Sequence, residues 1–102
     1  QFLHENAEEV ILPRAYAGEN QSIRLHEAQT AVVTLDGSMS PDPQDRIESW
    51  SWLDGTGREI STQPKVRVKL STGNHQFELR VFDSEGGMTS DSIQITIESS
   101  DS

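Results

Sequence analysis

The 102-residue chain has no cysteine. It can build neither a disulfide framework nor a thiolate metal site, and thiol usage says nothing about its redox compartment. Aromatic residues are scarce: two Trp, one Tyr and three Phe. Hydrophobic residues make up 32%, too few for a parallel sheet covered on both faces but enough for sheets with one dry and one wet face. No run approaches the roughly 20 consecutive apolar residues of a membrane helix, and no charged-then-apolar leader opens the chain. The first residue is Gln1 rather than Met, so an excised piece of a longer polypeptide is expected. Cations are also few. Eight Lys and Arg face seventeen Asp and Glu, a net charge of −9. Such a surface repels phosphate backbones and anionic lipid heads, so neither nucleic acid nor direct membrane insertion is expected.

What is present is period-two alternation punctuated by turn residues, the pattern of half-buried strands. Arg14 to Ala17 and Ser22 to Leu25 flank Gly18-Glu19-Asn20 and suggest a first strand broken in the middle. Ala31 to Asp36 places Val33 and Leu35 inside. Ile47 to Leu53 carries Trp50 and Trp52 two residues apart, hence on one face, which should be the core. Leu53-Asp54-Gly55-Thr56-Gly57 is turn chemistry leading to a short edge element at Glu59-Ile60. Val66, Val68 and Leu70 alternate with Lys65, Arg67 and Lys69, and Ser71-Thr72-Gly73-Asn74 is read as a turn. His75 to Phe82 buries Phe77, Leu79 and Val81; after Asp83-Ser84-Glu85-Gly86-Gly87, Ser90 to Ile97 buries Ile93, Ile95 and Ile97. About seven short strands with turns at intervals of roughly ten residues predict an all-β, two-sheet immunoglobulin-like sandwich. Residues 1–12 and 99–102 are mostly polar and are expected to be linkers around a domain at 13–98.

The same stretches resemble the polycystic-kidney-disease (PKD) repeat domain across about 12–97. Five pieces match in order: Ala15-Tyr16-Ala17-Gly18-Glu19-Asn20-Gln21; Val33-Thr34-Leu35-Asp36-Gly37-Ser38-Met39-Ser40-Pro41-Asp42-Pro43; Ile47-Glu48-Ser49-Trp50-Ser51-Trp52; the run from Gly73 to Asp83; and Gly86-Gly87 before a closing strand. The resemblance implies the sandwich fold and an extracytoplasmic setting, secreted, periplasmic or at the cell surface. It further implies a module that binds matrix or polysaccharide, or that spaces other domains. Two positions depart from the family. Where it reads Trp-Asp-Phe-Gly-Asp-Gly, this chain has Trp52-Leu53-Asp54-Gly55-Thr56-Gly57, with the apolar and acidic residues exchanged and the second acid lost. His75 stands where the family has a tyrosine that pins a corner of the sandwich, and an imidazole replaces that hydrogen bond only in the right tautomer.

Catalysis is not expected. The serines fall in turns and on outward strand positions, and His4, His26 and His75 show no His-x-Glu or His-Glu-x-x-His spacing. Four features are candidates for binding. Trp50 and Trp52 share a face; Trp52 is expected in the core, and Trp50 is either largely buried or an exposed platform for sugar rings. Lys65, Arg67 and Lys69 form a basic stripe that either grips an acidic protein or polysaccharide or guards a strand edge. Phe82 is out of phase with its buried neighbours and is a small contact or lies under the following loop. Finally, sandwich topology brings Asp42, Asp45, Asp83 and Glu85 to one end, near Asn6 and the carbonyls around Leu12. These acids either hold a weak Ca²⁺ as cofactor or are turn residues bonding their own backbone.

The expected function is that of a non-catalytic adhesion or spacer module in a larger surface or secreted protein, contacting neighbouring domains and protein or glycan. The alternatives are a carbohydrate- or matrix-binding accessory domain of a secreted hydrolase or protease, and the sensor domain of a receptor.

Overall fold

Alternating apolar and polar residues, with turn residues between them, produce seven strands among the described residues: β1 (Gln21–Leu25), β2 (Thr30–Asp36), β3 (Ile47–Leu53), β4 (Glu59–Ser61), β5 (Lys65–Ser71), β6 (Gly73–Asp83) and β7 (Met88–Ser99). This is a computed structural model, and it describes residues 13–99 except 28 and 43. The expected linker at 1–12, with His4, Asn6 and Leu12, lies outside the described residues, as does the end of the expected tail, 100–102. No helix occurs among the described residues.

The strands form two sheets, one of five strands in the order β1-β7-β6-β3-β4 and one of two, β2-β5. Neighbours pair antiparallel except β1, which runs parallel to β7 with Gln21 opposite Ile95 and Leu25 opposite Ser99. The protein is the all-β, immunoglobulin-like sandwich that the alternation predicts. Its core contains Val33, Leu35, Trp52, Phe77, Leu79, Val81, Ile93, Ile95 and Ile97. Trp52 is fully buried at 0% exposure, and burying an aromatic of that size removes more apolar surface from water than any other side chain here. Gly37 lets the backbone after β2 approach the core closely, since a Cβ there would sit 2.6 Å from a Leu79 methyl.

Three expectations are corrected. Arg14 to Ala17 is not half of a first strand. Its N–H groups instead donate to the Pro41 carbonyl (from Arg14), the Thr89 hydroxyl (Ala15), the Ser40 hydroxyl (Tyr16) and the Asp91 carboxylate (Ala17). Its N–H groups are satisfied but form no ladder, because their acceptors are the Pro41 carbonyl and three side chains rather than a neighbouring strand. Ser71 to Asn74 is not a hairpin turn: only Thr72 separates β5 from β6, and the chain there crosses from one sheet to the other. Val68, expected in the core, is only half-buried, as is Val66, because β5 pairs with β2 alone and its other side is not closed by a strand among the described residues.

Candidate binding surface

The end of the sandwich that gathers the acidic loops is built around two carboxylates. Asp42 accepts the N–H of Arg46 at 2.7 Å with one oxygen and that of Ile47 at 2.9 Å with the other. Asp83, only 5% exposed, uses Oδ1 to accept the N–H groups of Glu85 and Gly87, both at 2.8 Å. The loops touch: Ser84 donates to the Arg46 carbonyl, and the Arg46 guanidinium lies 3.3 Å from the Glu85 carboxylate. The chain start joins them through the Arg14 N–H on Pro41 and the Ala15 N–H on Thr89.

Asp42, Asp83 and Glu85 therefore meet at one end with Arg46 among them. Asp45 is exposed beside them, in the left-handed region at φ 55°, where Asp is one of the better-tolerated residues. Among the described residues no three His, Asp or Glu side chains are grouped so as to hold a metal ion. Three of the four acids instead hold backbone N–H groups or a guanidinium.

The hairpin between β3 and β4 repeats this local chemistry. Asp54 accepts the N–H of Thr56, the Thr56 hydroxyl and the N–H of Arg58, as Asp83 accepts from Glu85 and Gly87. In both turns a glycine at φ 89° stands three residues after the aspartate, Gly57 in one and Gly86 in the other. Each turn is closed by that glycine's N–H on the aspartate's own carbonyl, at 3.0 and 3.2 Å respectively, and the left-handed conformation there asks for glycine. The signal Asp-x-x-Gly was available in the sequence, and the exchange of Leu53 and Asp54 relative to the family reflects it: Leu53 is buried while Asp54 closes the turn. The hydroxyl of Thr56 first, then the N–H groups of Arg58 and Thr56, hold the Asp54 carboxyl below its ordinary value.

The basic stripe lies on the opposite sheet. Lys65, Arg67 and Lys69 are exposed on the outer face of β5, in register with Asp36, Thr34 and Val32 of β2. Val32 is 62% exposed. Lys65 reaches Asp36 at 3.9 Å with both side chains in solvent, a separation at which an exposed pair contributes little. The Asp36 carboxyl is held below its ordinary value chiefly by the Ser38 hydroxyl and N–H, with a smaller contribution from Lys65.

The aromatic candidates do not join this face. Trp50 is half-buried and packs against the core. Phe82 is half-exposed on the outer face of the five-stranded sheet, opposite Met88 of β7. The five proposed contact residues thus occupy three places. His75 does make the corner bond, its Nε2 lying 2.8 Å from the Ser71 carbonyl; since a carbonyl only accepts, Nε2 carries the proton.

Comparison with known proteins agrees with this architecture. A family model described as K319L-like, PKD domain, matches residues 17–97. Collagenase ColA of Clostridium perfringens (strain 13 / Type A) is 29% identical over 96 residues, which cover 93% of this chain and 8% of the collagenase. The chain thus spans a small fraction of that relative. The solution structure of the PKD domain from the KIAA 1837 protein superposes with a TM-score of 0.72 at 24% identity, covering 94% of this chain and 96% of that one. A structure reported for carbohydrate-binding modules of the β-sandwich superfamily superposes at 0.65 with 24% identity, over 91% of this chain and 37% of the other. With seven strands in two sheets, matching sequence motifs and a family model spanning its core, the chain belongs to the PKD domain family.

Proposed function

We propose that the domain is a non-catalytic contact module of a larger extracytoplasmic protein, meeting an acidic protein or glycan through the outer face of the β2-β5 sheet. The observation that carries this reading is the row Lys65, Arg67 and Lys69: three exposed cations side by side in a chain of net charge −9. A local field of one sign on a surface of the other steers complementary partners and repels the rest. Membership of the PKD family and the small share of the collagenase that the chain matches support an accessory role beside other domains. The similarity to a collagenase favours one second reading, an accessory domain of a secreted hydrolase.

The test compares the chain with a variant carrying Lys65→Gln, Arg67→Gln and Lys69→Gln, titrated with a soluble acidic polypeptide and with an acidic polysaccharide. Saturable binding that weakens with salt and is lost in the variant is expected. The variant should melt close to the parent, because exposed charges are worth tenths of a kcal/mol each. No binding to either polymer, or binding that the variant retains, would remove this face from consideration.

A further inference from the structure

Among the described residues β5 is paired on one side only, to β2. The Gly37 N–H donates to the Pro64 carbonyl at 2.7 Å, one step beyond the pair Asp36 and Lys65. In an antiparallel pair, residues that exchange hydrogen bonds alternate with residues that do not. Pro64, Val66, Val68 and Leu70 therefore turn their backbone groups toward β2, whereas Lys65, Arg67 and Lys69 turn theirs toward the open edge. The three residues whose side chains make the basic row are thus the ones whose N–H and C=O groups face outward. Below this edge, toward β4 and β6, runs a groove whose apolar lining is Ile60, Val66, Val68, Leu70 and Phe77, with Arg67, Lys69, His75 and the single acid Asp54 completing it. Ile60, Val66 and Val68 are only partly buried there.

We propose that this edge takes up an extended acidic segment of a partner polypeptide as an added strand; the proposal deepens the functional reading above and rests on it. Such a strand lies about 4.8 Å from β5, and its alternate side chains are spaced roughly 7 Å apart, the same repeat as Lys65, Arg67 and Lys69. One face of it places apolar side chains over Val66, Val68 and Ile60. The other places carboxylates beside the three cations. Main-chain hydrogen bonds supply the affinity and the side-chain pattern the choice of partner.

The cations also settle which strands are refused. Two copies of β5 edge to edge would set Lys and Arg against Lys and Arg, and charged edge residues of this kind are what keeps strands from pairing with their own kind. An acidic strand meets attraction where a second copy meets repulsion, so the same three side chains both guard the edge and select its occupant.

The probe is a capped peptide as long as β5, seven residues, alternating glutamate and valine. Its partner is the same peptide N-methylated on the residues whose N–H groups would face β5, which keeps every charge but cannot donate. Binding of the first peptide is expected, with new protection of the amides of Lys65, Arg67 and Lys69 against hydrogen exchange and at least about tenfold weaker binding of the methylated form. A variant with Lys65, Arg67 and Lys69 changed to Gln should lose the peptide.

Equal affinity for both peptides would overturn strand addition while leaving the charged contact face standing. Binding of an acidic polysaccharide but of neither peptide would overturn it in favour of a glycan. Binding of no polyanion would bring down this proposal and the functional reading together. A homodimer seated on β5 would assign the edge to a second copy and equally overturn it.

Discussion

The indole N–H of Trp52 donates to the carbonyl of Pro64 at 3.1 Å, and the same oxygen accepts the N–H of Gly37 at 2.7 Å. Trp52 belongs to β3 in the five-stranded sheet, Gly37 follows β2, and Pro64 leads into β5. One carbonyl therefore ties the two layers together, using both of its lone pairs, at a point where the ring that reaches it is completely buried. A buried indole N–H without such a partner would carry the full cost of its lost water.

Replacing Trp52 by Ala is expected to cost about 3–5 kcal/mol, through the cavity left behind and the loss of buried apolar area. That is a large share of the stability of a domain this size. Urea unfolding measures it. Trp52→Phe should be milder yet still destabilising, since it fills part of the cavity but strands the Pro64 contact. A Trp52→Ala variant that melts within a few degrees of the parent would show that the ring is not in the core.

The Asp83 turn should be the more sensitive of the two matching hairpins. Asp83→Ala removes a buried carboxylate and leaves the part-buried N–H groups of Glu85 and Gly87 without their acceptor, at an expected cost of about 1–3 kcal/mol. Gly87→Ala should also destabilise, because its Cβ would meet the Asp83 carboxylate at 2.7 Å. Asp54→Ala, in the surface turn, should cost less than Asp83→Ala. Thermal melts of the three variants decide the order, and the reverse order would mean that burial does not set the cost.

Acid should weaken the fold partly through Asp36 and Asp54. Both carboxyls are held below their ordinary value of 3.8, by the hydroxyl and N–H of Ser38 and by Thr56 with Arg58 respectively. A lowered folded value means that the stabilisation is fully present above 3.8 and is lost as pH falls through the lowered values, where the folded state must take up protons that the unfolded state already holds. Changing both residues to Asn should make stability fall less steeply with pH below that point. An unchanged slope would show that the surface carboxylates carry no linkage.

Calcium should leave the melting temperature unchanged. The two oxygens of Asp42 and the Oδ1 of Asp83 accept backbone N–H groups, and Glu85 faces Arg46. An ion bound to the folded state alone would raise the melting point with concentration. Melts in millimolar Ca²⁺ and in chelator check this, and a calcium-dependent rise abolished by Asp42→Asn would restore the site.

Period-two alternation is a local property, and by itself it determined the strands, their inward faces and the burial of Trp52, Leu79, Val81 and Ile95. Turn chemistry is local too, so the loops at Asp54 and Asp83 were legible within five residues. What the tertiary structure alone decided depends on residues distant in the chain. The Ala17 N–H ends on Asp91, 74 positions away, and this is why Arg14 to Ala17 is held in place without being a strand. Alternation made Val66 and Val68 look like core; that no strand among the described residues flanks β5 on its second side leaves them half-buried beside a groove. The acids of the two end loops were foreseen as neighbours, because topology gathers them. Whether their oxygens faced outward or inward rested on which N–H groups the folded loops presented, and Asp42 and Asp83 turned to the part-buried N–H groups of their own loops, which without an acceptor would carry a desolvation cost.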